Sequence, residues 1–294
     1  MDNFVQTTVR SILTYFNAEG VPTSVPADGN GLLVKAYSEY QSNLALGKVP
    51  GEKGLNKFGR NIEIDSGVSA DIWDGGHTLA SGGTSLIWLA PTASRIHTIA
   101  SSSANDTTGG TGANQVAIKY LPDWDTAERT ETVIGNLNAG IVMHNAAVMI
   151  HRMFVVPQAS STTINAGDIT ATAASDGTVT ARIRVGEGQT QMAIYGVPST
   201  QRVLLDDVYA SANKAGGNAG LVDVSLIVNP SPDVNPAVFL VKHTFGLQTT
   251  GVSSDQPRFI PPKVIDGPAI VKIHCLSGTN DMDVSAGFNG AVVP

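Results

Sequence analysis

The sequence predicts a mainly β protein, a jelly-roll-like antiparallel β-sandwich preceded by a short α-helical N-terminal arm. Charged residues make up only 15% of the chain, whereas glycine (31) and proline (15) are abundant. This composition is typical of β-sandwiches with many tight turns. In addition, short runs rich in β-branched and aromatic residues recur at intervals of roughly 8–15 residues, separated by Gly, Pro, Asn and Asp.

The first 60 residues differ from the rest, and we predict an arm over residues 1–60 and a β-sandwich body over residues 61–294. The arm contains two predicted helices. The second is predicted from an apolar run between Leu33 and Leu44, and it ends at Gly47. Two short helices with one apolar stripe each must dock either on the body or on another subunit. The first of these helices is predicted from apolar side chains at helical spacing, Phe4, Val5, Val9, Ile12, Leu13 and Phe16.

A basic segment, residues 47–60, follows the predicted helices. It holds four basic side chains and one acid, a net charge of +3, so the rest of the chain carries −10 against a total of −7. This strap is interpreted either as an arm on an acidic surface, its own or a neighbour's, or as a solvated linker. The candidate assembly contacts are therefore Phe4, Val9, Ile12 and Phe16 in the first helix and Lys48, Lys53, Lys57 and Arg60 in the strap.

From residue 61 onward the apolar period changes to two, which predicts strands. The regular alternation of Thr178–Val185 predicts a strand with one face in water. Residues 101–114 form a long polar loop, and Pro257, Pro261 and Pro262 mark surface connections. The remaining strands are predicted over residues 68–73, 85–89, 95–100, 191–197, 202–209, 221–228, 237–243, 269–276 and 282–288.

The stretch from residue 115 to residue 156 predicts three successive strands, Gln115–Leu121, Glu128–Ile134 and Ile141–Val156. The third is apolar on both faces for much of its length. A strand of this kind suits either a central position in a sandwich or one whose outer face meets another subunit.

Composition also excludes several classes of protein. A net charge of −7 and a pI of about 5.3 argue against a nucleic-acid-binding protein. The single cysteine, Cys275, excludes an intrachain disulfide framework and a cysteine-based zinc site. The sequence has no secretory signal and no apolar run long enough to span a bilayer, so we expect a soluble protein made in a cytoplasm, without a membrane partner.

The residues that catalysis or metal binding would use form no motif. The six histidines lack helical metal-ligand spacing. Asp123 and Asp125 flank Trp124, an arrangement that suits either sugar binding or cleavage, or turn chemistry after a strand, and the turn interpretation is the stronger. We therefore expect a protein that is not an enzyme and has no cofactor and no metal.

Several motifs resemble a family of tailed-bacteriophage virion proteins. They are turns and strand edges, so the resemblance implies an architecture and no reaction, and no catalytic residues carry over. It covers about half of the chain and is carried by residues 56–67, 72–76, 100–113, 131–133, 165–169 and 188–191.

The resemblance implies a structural component of a tailed phage virion. We expect a capsid decoration, cement or head-spike protein that packs on the shell as a homotrimer and contacts the major capsid protein. One alternative is a tail component, either a fibre adaptor or part of the baseplate. Another is a carbohydrate-binding or carbohydrate-cleaving receptor protein that uses Asp123, Trp124 and Asp125.

Overall fold

The structure, a computed structural model, falls into two compact units, Met1–Lys53 and Gly54–Pro294. This division lies at residue 53 rather than at the predicted residue 60. Within the described ranges, no helix is long and apolar enough to cross a membrane. The structure describes residues 14–16, 22–24, 32–74, 86–91, 93–157, 164–214, 219–235, 237–251 and 253–294.

The first unit contains a hairpin and a helix. Strands β1 (Thr14–Phe16) and β2 (Pro22–Ser24) pair antiparallel. The helical prediction is therefore wrong at residues 14–16, where a β-branched residue and two aromatic residues favour a strand; residues 4–13 lie outside the described residues. The second predicted helix is confirmed as α1 (Leu32–Ala45), and it ends where Gly47 adopts a φ of 67°.

The second unit is an antiparallel β-sandwich fold, as predicted, and it contains two sandwiches. The first, here called the terminal sandwich, takes its strands from both ends of the unit. One of its sheets has the order β12 (Ile194–Val197), β18 (Ala269–Ser277), β14 (Leu221–Asn229) and β15 (Leu240–Gln248), with β4 (Ser69–Asp71) also on β18. The other has the order β3 (Lys53–Ile64), β19 (Met282–Val293) and β13 (Arg202–Lys214), with β16 (Ser254–Asp255) and β17 (Arg258–Asp266) on the far side of β13.

The second sandwich, here called the inserted sandwich, is built entirely from residues between β4 and β12. One sheet has the order β8 (Ile141–Val142), β5 (His97–Ser101), β10 (Ile169–Ala173) and β11 (Val179–Ile183). The other has the order β7 (Arg129–Ile134), β6 (Gln115–Leu121) and β9 (Met149–Val155), with a 3-10 helix at Leu137–Ala139 after β7.

Each sandwich has its own apolar core. Val203, Leu205 and Phe288 belong to the core of the terminal sandwich, and Ile118 and Met153 to that of the inserted sandwich. The inserted core also includes residues of the terminal strands β12 and β18, so the two cores meet at those strands. The two cores are thereby joined through shared apolar packing.

The predicted long strand Ile141–Val156 is wrong as a single element. It divides into β8 and β9, which belong to different sheets. The intervening turn is held by Glu131, whose carboxylate accepts hydrogen bonds from the backbone N–H groups of His144 and Asn145. Most of β9 is buried within the chain itself, so its apolar character gives no support for a subunit interface.

The prediction that residues 178–185 keep one face in water is also wrong for β11. Thr180 and Arg182, on the expected polar face, are both buried. The Trp88 indole N–H donates to the Thr180 carbonyl at 2.8 Å, and Arg182 forms an ion pair with Asp168. Regular alternation indicated a strand correctly but did not reveal that its polar face is covered.

The long polar loop at residues 101–114 is organised by the buried carboxylate of Asp106. The Ser101 hydroxyl donates to it at 2.5 Å, and the backbone N–H groups of Ala113, Ala166 and Gly167 donate at 2.7–2.9 Å. A charged acceptor with four donors closes two loops that are distant in sequence. Both loops carry motifs of the family resemblance, and here those motifs fix turns.

Gly112 is required by the same arrangement. A Cβ atom at this position would lie 2.1 Å from one carboxylate oxygen of Asp106. A side chain would therefore displace the carboxylate from its donors.

We expect Asp106→Ala to lower the free energy of unfolding by about 3 kcal/mol, because it leaves buried N–H donors without an acceptor. Urea denaturation followed by circular dichroism measures this change. Asp233→Ala removes an exposed carboxylate and serves as the matched control. Equal stability of the two variants would contradict the role assigned to Asp106.

Candidate functional site

The predicted assembly contacts fall into three groups. Phe4, Val9 and Ile12 lie outside the described residues, and Phe16 lies in β1, with its side chain outside the described part. Lys48 and Arg60 are exposed, and Lys53 is half-buried at the start of β3. The remaining residue, Lys57, is buried. The exposed Arg60 and the buried Lys57 thus do not share one exposed surface, and a contact surface made of all eight residues stays a prediction.

Residues 53–60 of the strap are not a solvated linker, so that interpretation is wrong for them, whereas the interpretation as a segment on an acidic surface of its own chain holds in part. These residues form the first part of β3, an edge strand of the terminal sandwich. Arg60 lies 3.7 Å from the carboxylate of Asp283 on the neighbouring strand. The basic charge thus lies partly on acidic groups of the same chain, in a strand rather than a solvated linker.

Lys57 reaches a β-bulge in the inserted sandwich. In the β6–β9 ladder, Lys119 pairs with Arg152 and Tyr120 with Ile150, so His151 is the extra residue of β9. A bulged residue leaves the ladder locally disrupted. The Lys57 ammonium donates to the backbone oxygen of His151.

The His151 ring completes this buried junction between the two sandwiches. Its Nε2 accepts a hydrogen bond from the Gly196 backbone N–H at 3.2 Å, and its Nδ1 lies 2.5 Å from the Glu128 carboxylate. Because Nε2 accepts, Nδ1 carries the proton that points to Glu128. The ring stacks on Tyr195 with centroids 4.2 Å apart. Strands β3, β9 and β12 therefore meet at one polar cluster.

Burial dominates the electrostatics of Lys57. The pKa of the ammonium is lowered from 10.5 to about 7, chiefly by burial and in part by the positive charges of Arg152 and Lys119, while the negative charge of Glu128 opposes the shift. The charged form of Lys57 is thus costly at this buried position.

The sugar-binding interpretation of Asp123, Trp124 and Asp125 is wrong. The Trp124 side chain is only 8% exposed and belongs to the inserted core. Asp123 accepts from the Asp125 N–H and from the Thr126 hydroxyl, both at 2.9 Å, which is an Asx turn. The hydrogen bond to Thr126 is the chief cause that lowers the pKa of Asp123, although burial opposes it.

The histidines that the structure describes lie in separate places. His274 and Lys272 both contact the buried carboxylate of Asp71, at 3.0 and 2.5 Å. His97 is buried, and burial lowers its pKa. Among the described residues, no three metal-ligating side chains converge.

A different surface is the best candidate for function, and we call it the open side. It is the side of the terminal sandwich where both sheets end, one in β15 and the other in β17. The two strands approach each other, since the rings of His243 and Phe259 lie edge to face at 5.4 Å. Most residues of both strands are exposed.

The open side is apolar to an unusual degree for exposed strands. Ile260 is 91% exposed, Val241 is 64% exposed and Val264 is 54% exposed. Exposed apolar side chains that are grouped on strand edges mark interaction sites, whereas isolated ones are ordinary. Val238 and Leu240 extend the group toward the start of β15.

Sequence reasoning missed half of this surface. Pro261 and Pro262 were interpreted as surface connections, yet they lie inside strand β17. Proline is tolerated on an edge strand, where its missing N–H faces away from the ladder. The apolar and aromatic residues on either side of the prolines, Phe259, Val264 and Ile265, were the signal for this strand.

Comparisons with known proteins give little. No protein-family model matches the chain, and no curated protein matches it. A crystal structure of the T13 IBDV viral particle is 12% identical over 86% of this chain and 73% of its own, with a TM-score of 0.23. A structure of infectious bursal disease virus, Gt strain, is 10% identical over 86% of this chain and 77% of its own, with a TM-score of 0.18. Likenesses this weak carry no argument about function.

The junction yields a prediction about pH. The unfolded chain holds the Lys57 proton up to a pH near 10.5, whereas the folded protein releases it near 7. Stability therefore rises with pH between these values, and from pH 7 to pH 9 the gain from Lys57 is about 2 kcal/mol. Lys57→Met should lose this gain.

Urea denaturation of the wild type and of Lys57→Met at pH 7 and pH 9 isolates the effect, because the other titrating groups cancel in the difference. Lys48→Met, which removes an exposed lysine, is the control and should keep the wild-type dependence. A Lys57→Met variant with that same dependence would show that Lys57 titrates normally.

Proposed function

We propose that this protein is a non-enzymatic structural subunit of a virus particle and that it associates with copies of itself through the open side. The observation that carries the proposal is the group of exposed apolar side chains on β15 and β17, headed by Ile260 at 91% exposure. Burying such side chains between subunits removes apolar surface from water at roughly 25 cal/mol per Å².

A second copy of the chain is the occupant that the strand chemistry favours. Residues 243–248 of β15 include no Asp, Glu, Lys or Arg, so two copies paired antiparallel here place no like charges from these residue types opposite each other. None of these residues is proline, so the outer edge of β15 keeps its N–H donors for strand addition.

Strand β17 supports the proposal in a different way. Pro261 and Pro262 have no N–H donors and lie where the β13–β17 ladder is irregular, so β17 is poorly suited to strand addition. Its exposed Ile260 and Val264 are suited to side-chain packing instead. Lys242, which stands at the irregularity between Val241 and His243 in the β14–β15 ladder, limits how far the pairing of β15 extends.

The particle is proposed to be a tailed phage, on the strength of the motif resemblance. In the structure, motif residues such as Asp106, Glu131 and Asn165 hold turns in the inserted sandwich. Motifs with that role suit an architectural family. The specific role that we propose is capsid decoration, cement or head spike, with the major capsid protein as partner; a homotrimer stays a prediction.

A tail component is the second candidate, as a fibre adaptor or a baseplate part. The same open side serves either location, since both require association with neighbouring subunits. Microscopy of particles that carry a labelled copy of this chain separates head from tail.

Self-association is tested by placing charge on the open side. Val241→Lys and Val264→Lys should each shift the protein toward the monomer, with the dissociation constant raised at least tenfold, because a buried lysine must be desolvated. Analytical ultracentrifugation over a range of concentrations measures the change.

The matched control is Val185→Lys, since Val185 is 60% exposed but lies just beyond β11 of the inserted sandwich, away from β15 and β17 in sequence. It should associate as the wild type does. Two results would contradict the open side as the interface. One is a wild-type protein that stays monomeric at every concentration in solution and whose open side meets no second copy in particles. The other is an equal effect of all three variants on association.

Deletion of the gene tests the role in the particle. If the protein is a decoration or cement protein, particles without it should release their genome at a lower temperature than wild-type particles. Thermal release followed by a DNA-binding dye measures this, and supplying the purified protein should restore the wild-type temperature. An unchanged release temperature would contradict the cement role.

A further inference from the structure

A groove of about 430 Å³ lies on the outer face of the inserted sandwich, away from the residues of the open side. Its volume falls within the range of small-ligand sites. It is lined by Lys119, Arg152, Phe154, Glu187, Gly188 and Gln189.

Two cations face each other across the floor of this groove. Lys119 in β6 and Arg152 in β9 are direct cross-strand partners. Like charges in that relation destabilise a sheet. In the described part of the chain, neither has a carboxylate within ion-pair distance.

The Arg152 side chain is held in place from below. Its guanidinium donates to the Asn56 carbonyl at 3.2 Å and lies over the Phe58 ring at 5.3 Å. One bond to a carbonyl leaves further N–H donors of the guanidinium for a ligand. The bulge at His151, next in the chain, gives β9 the local twist at this point.

The wall opposite the cations is formed by the segment of residues 187–189. Its carboxylate, Glu187, is engaged with the side chain of Gln191. Gln189 forms an isolated antiparallel β-bridge with Phe154, and the Gly188 carbonyl accepts a hydrogen bond from the Val155 N–H at 2.8 Å. These backbone contacts fix the wall against β9. The half-buried Phe154 adds an apolar surface beside the two cations.

We propose that this groove binds an acidic sugar, with the carboxylate between Lys119 and Arg152 and the apolar face of the ring against Phe154. A guanidinium and an ammonium are the groups that bind oxyanions through charge-assisted hydrogen bonds. An aromatic side chain beside them adds contact area for the C–H groups of a sugar ring.

This site is separate from the one rejected above, which used Asp123, Trp124 and Asp125. It is also independent of the proposed virion role, because it rests on the groove alone. A single acidic sugar should bind with a dissociation constant on the order of 1 mM.

The test is ligand-observed NMR by saturation transfer, with D-glucuronate, D-glucose and inorganic sulfate as probes. We expect saturation-transfer signals from glucuronate and none from glucose. Sulfate should compete with glucuronate, but with a higher dissociation constant than that of glucuronate. Equal signals from glucose, or sulfate that binds as tightly as glucuronate, would overturn the proposal.

Lys119→Gln should weaken glucuronate binding about tenfold through the loss of one charged contact. Within the described residues the Lys119 side chain has no hydrogen bond or ion pair, and the backbone pairing of Lys119 in β6 does not depend on the side chain, so this variant should fold normally. Lys48→Gln removes an exposed lysine of the other unit and is the matched control. Binding by Lys119→Gln equal to that of the control would also overturn the proposal.

Discussion

Besides their shared apolar packing, the two sandwiches of the second unit are joined by a buried polar contact, the ammonium of Lys57 against the backbone carbonyl of His151. Lys57 belongs to the terminal sandwich and His151 to the inserted one. The contact exists because β9 carries an extra residue at His151, which leaves a carbonyl outside the regular ladder. A buried, unpaired carbonyl is costly, and a lysine from the other sandwich meets that need.

The same bulge shapes both sides of β9. On the inner side, the His151 ring faces Glu128 and the Gly196 N–H, which ties β9 to β12. On the outer side, Arg152 lies opposite Lys119 in the groove. One irregularity in a ladder thus joins two sandwiches and sets two cations side by side, which explains why this short strand is important to the whole fold.

Local signals predicted most of the fold. Alternating apolar residues and turn residues located β6, β7, β13, β14 and β18 closely, because these strands have long and regular patterns. The errors arose where tertiary contacts override local preference. Arg182 is buried and forms an ion pair with Asp168. The apolar run after residue 140 is divided by a turn that Glu131 holds.

The candidate sites were less predictable for the same reason. Lys57 has the sequence context of an exposed basic segment, and only the fold shows that it fills a gap in a distant ladder. The groove is lined by residues from β6, β9 and the segment before β12, so no single stretch of sequence could predict it. The open side exists only because β15 and β17 are adjacent in space. The two strands pair with β14 and β13, which belong to different sheets, so their sequences alone do not show that they meet.

The central claim is that the open side of the terminal sandwich is covered by another copy of this chain in the assembled state. An electron cryo-microscopy structure of the assembled particle tests it most directly. The account predicts that Val241, Ile260 and Val264 are buried against a neighbouring copy, with β15 contributing to the contact. A particle in which these three side chains face solvent, while other surfaces hold the subunits together, would contradict it.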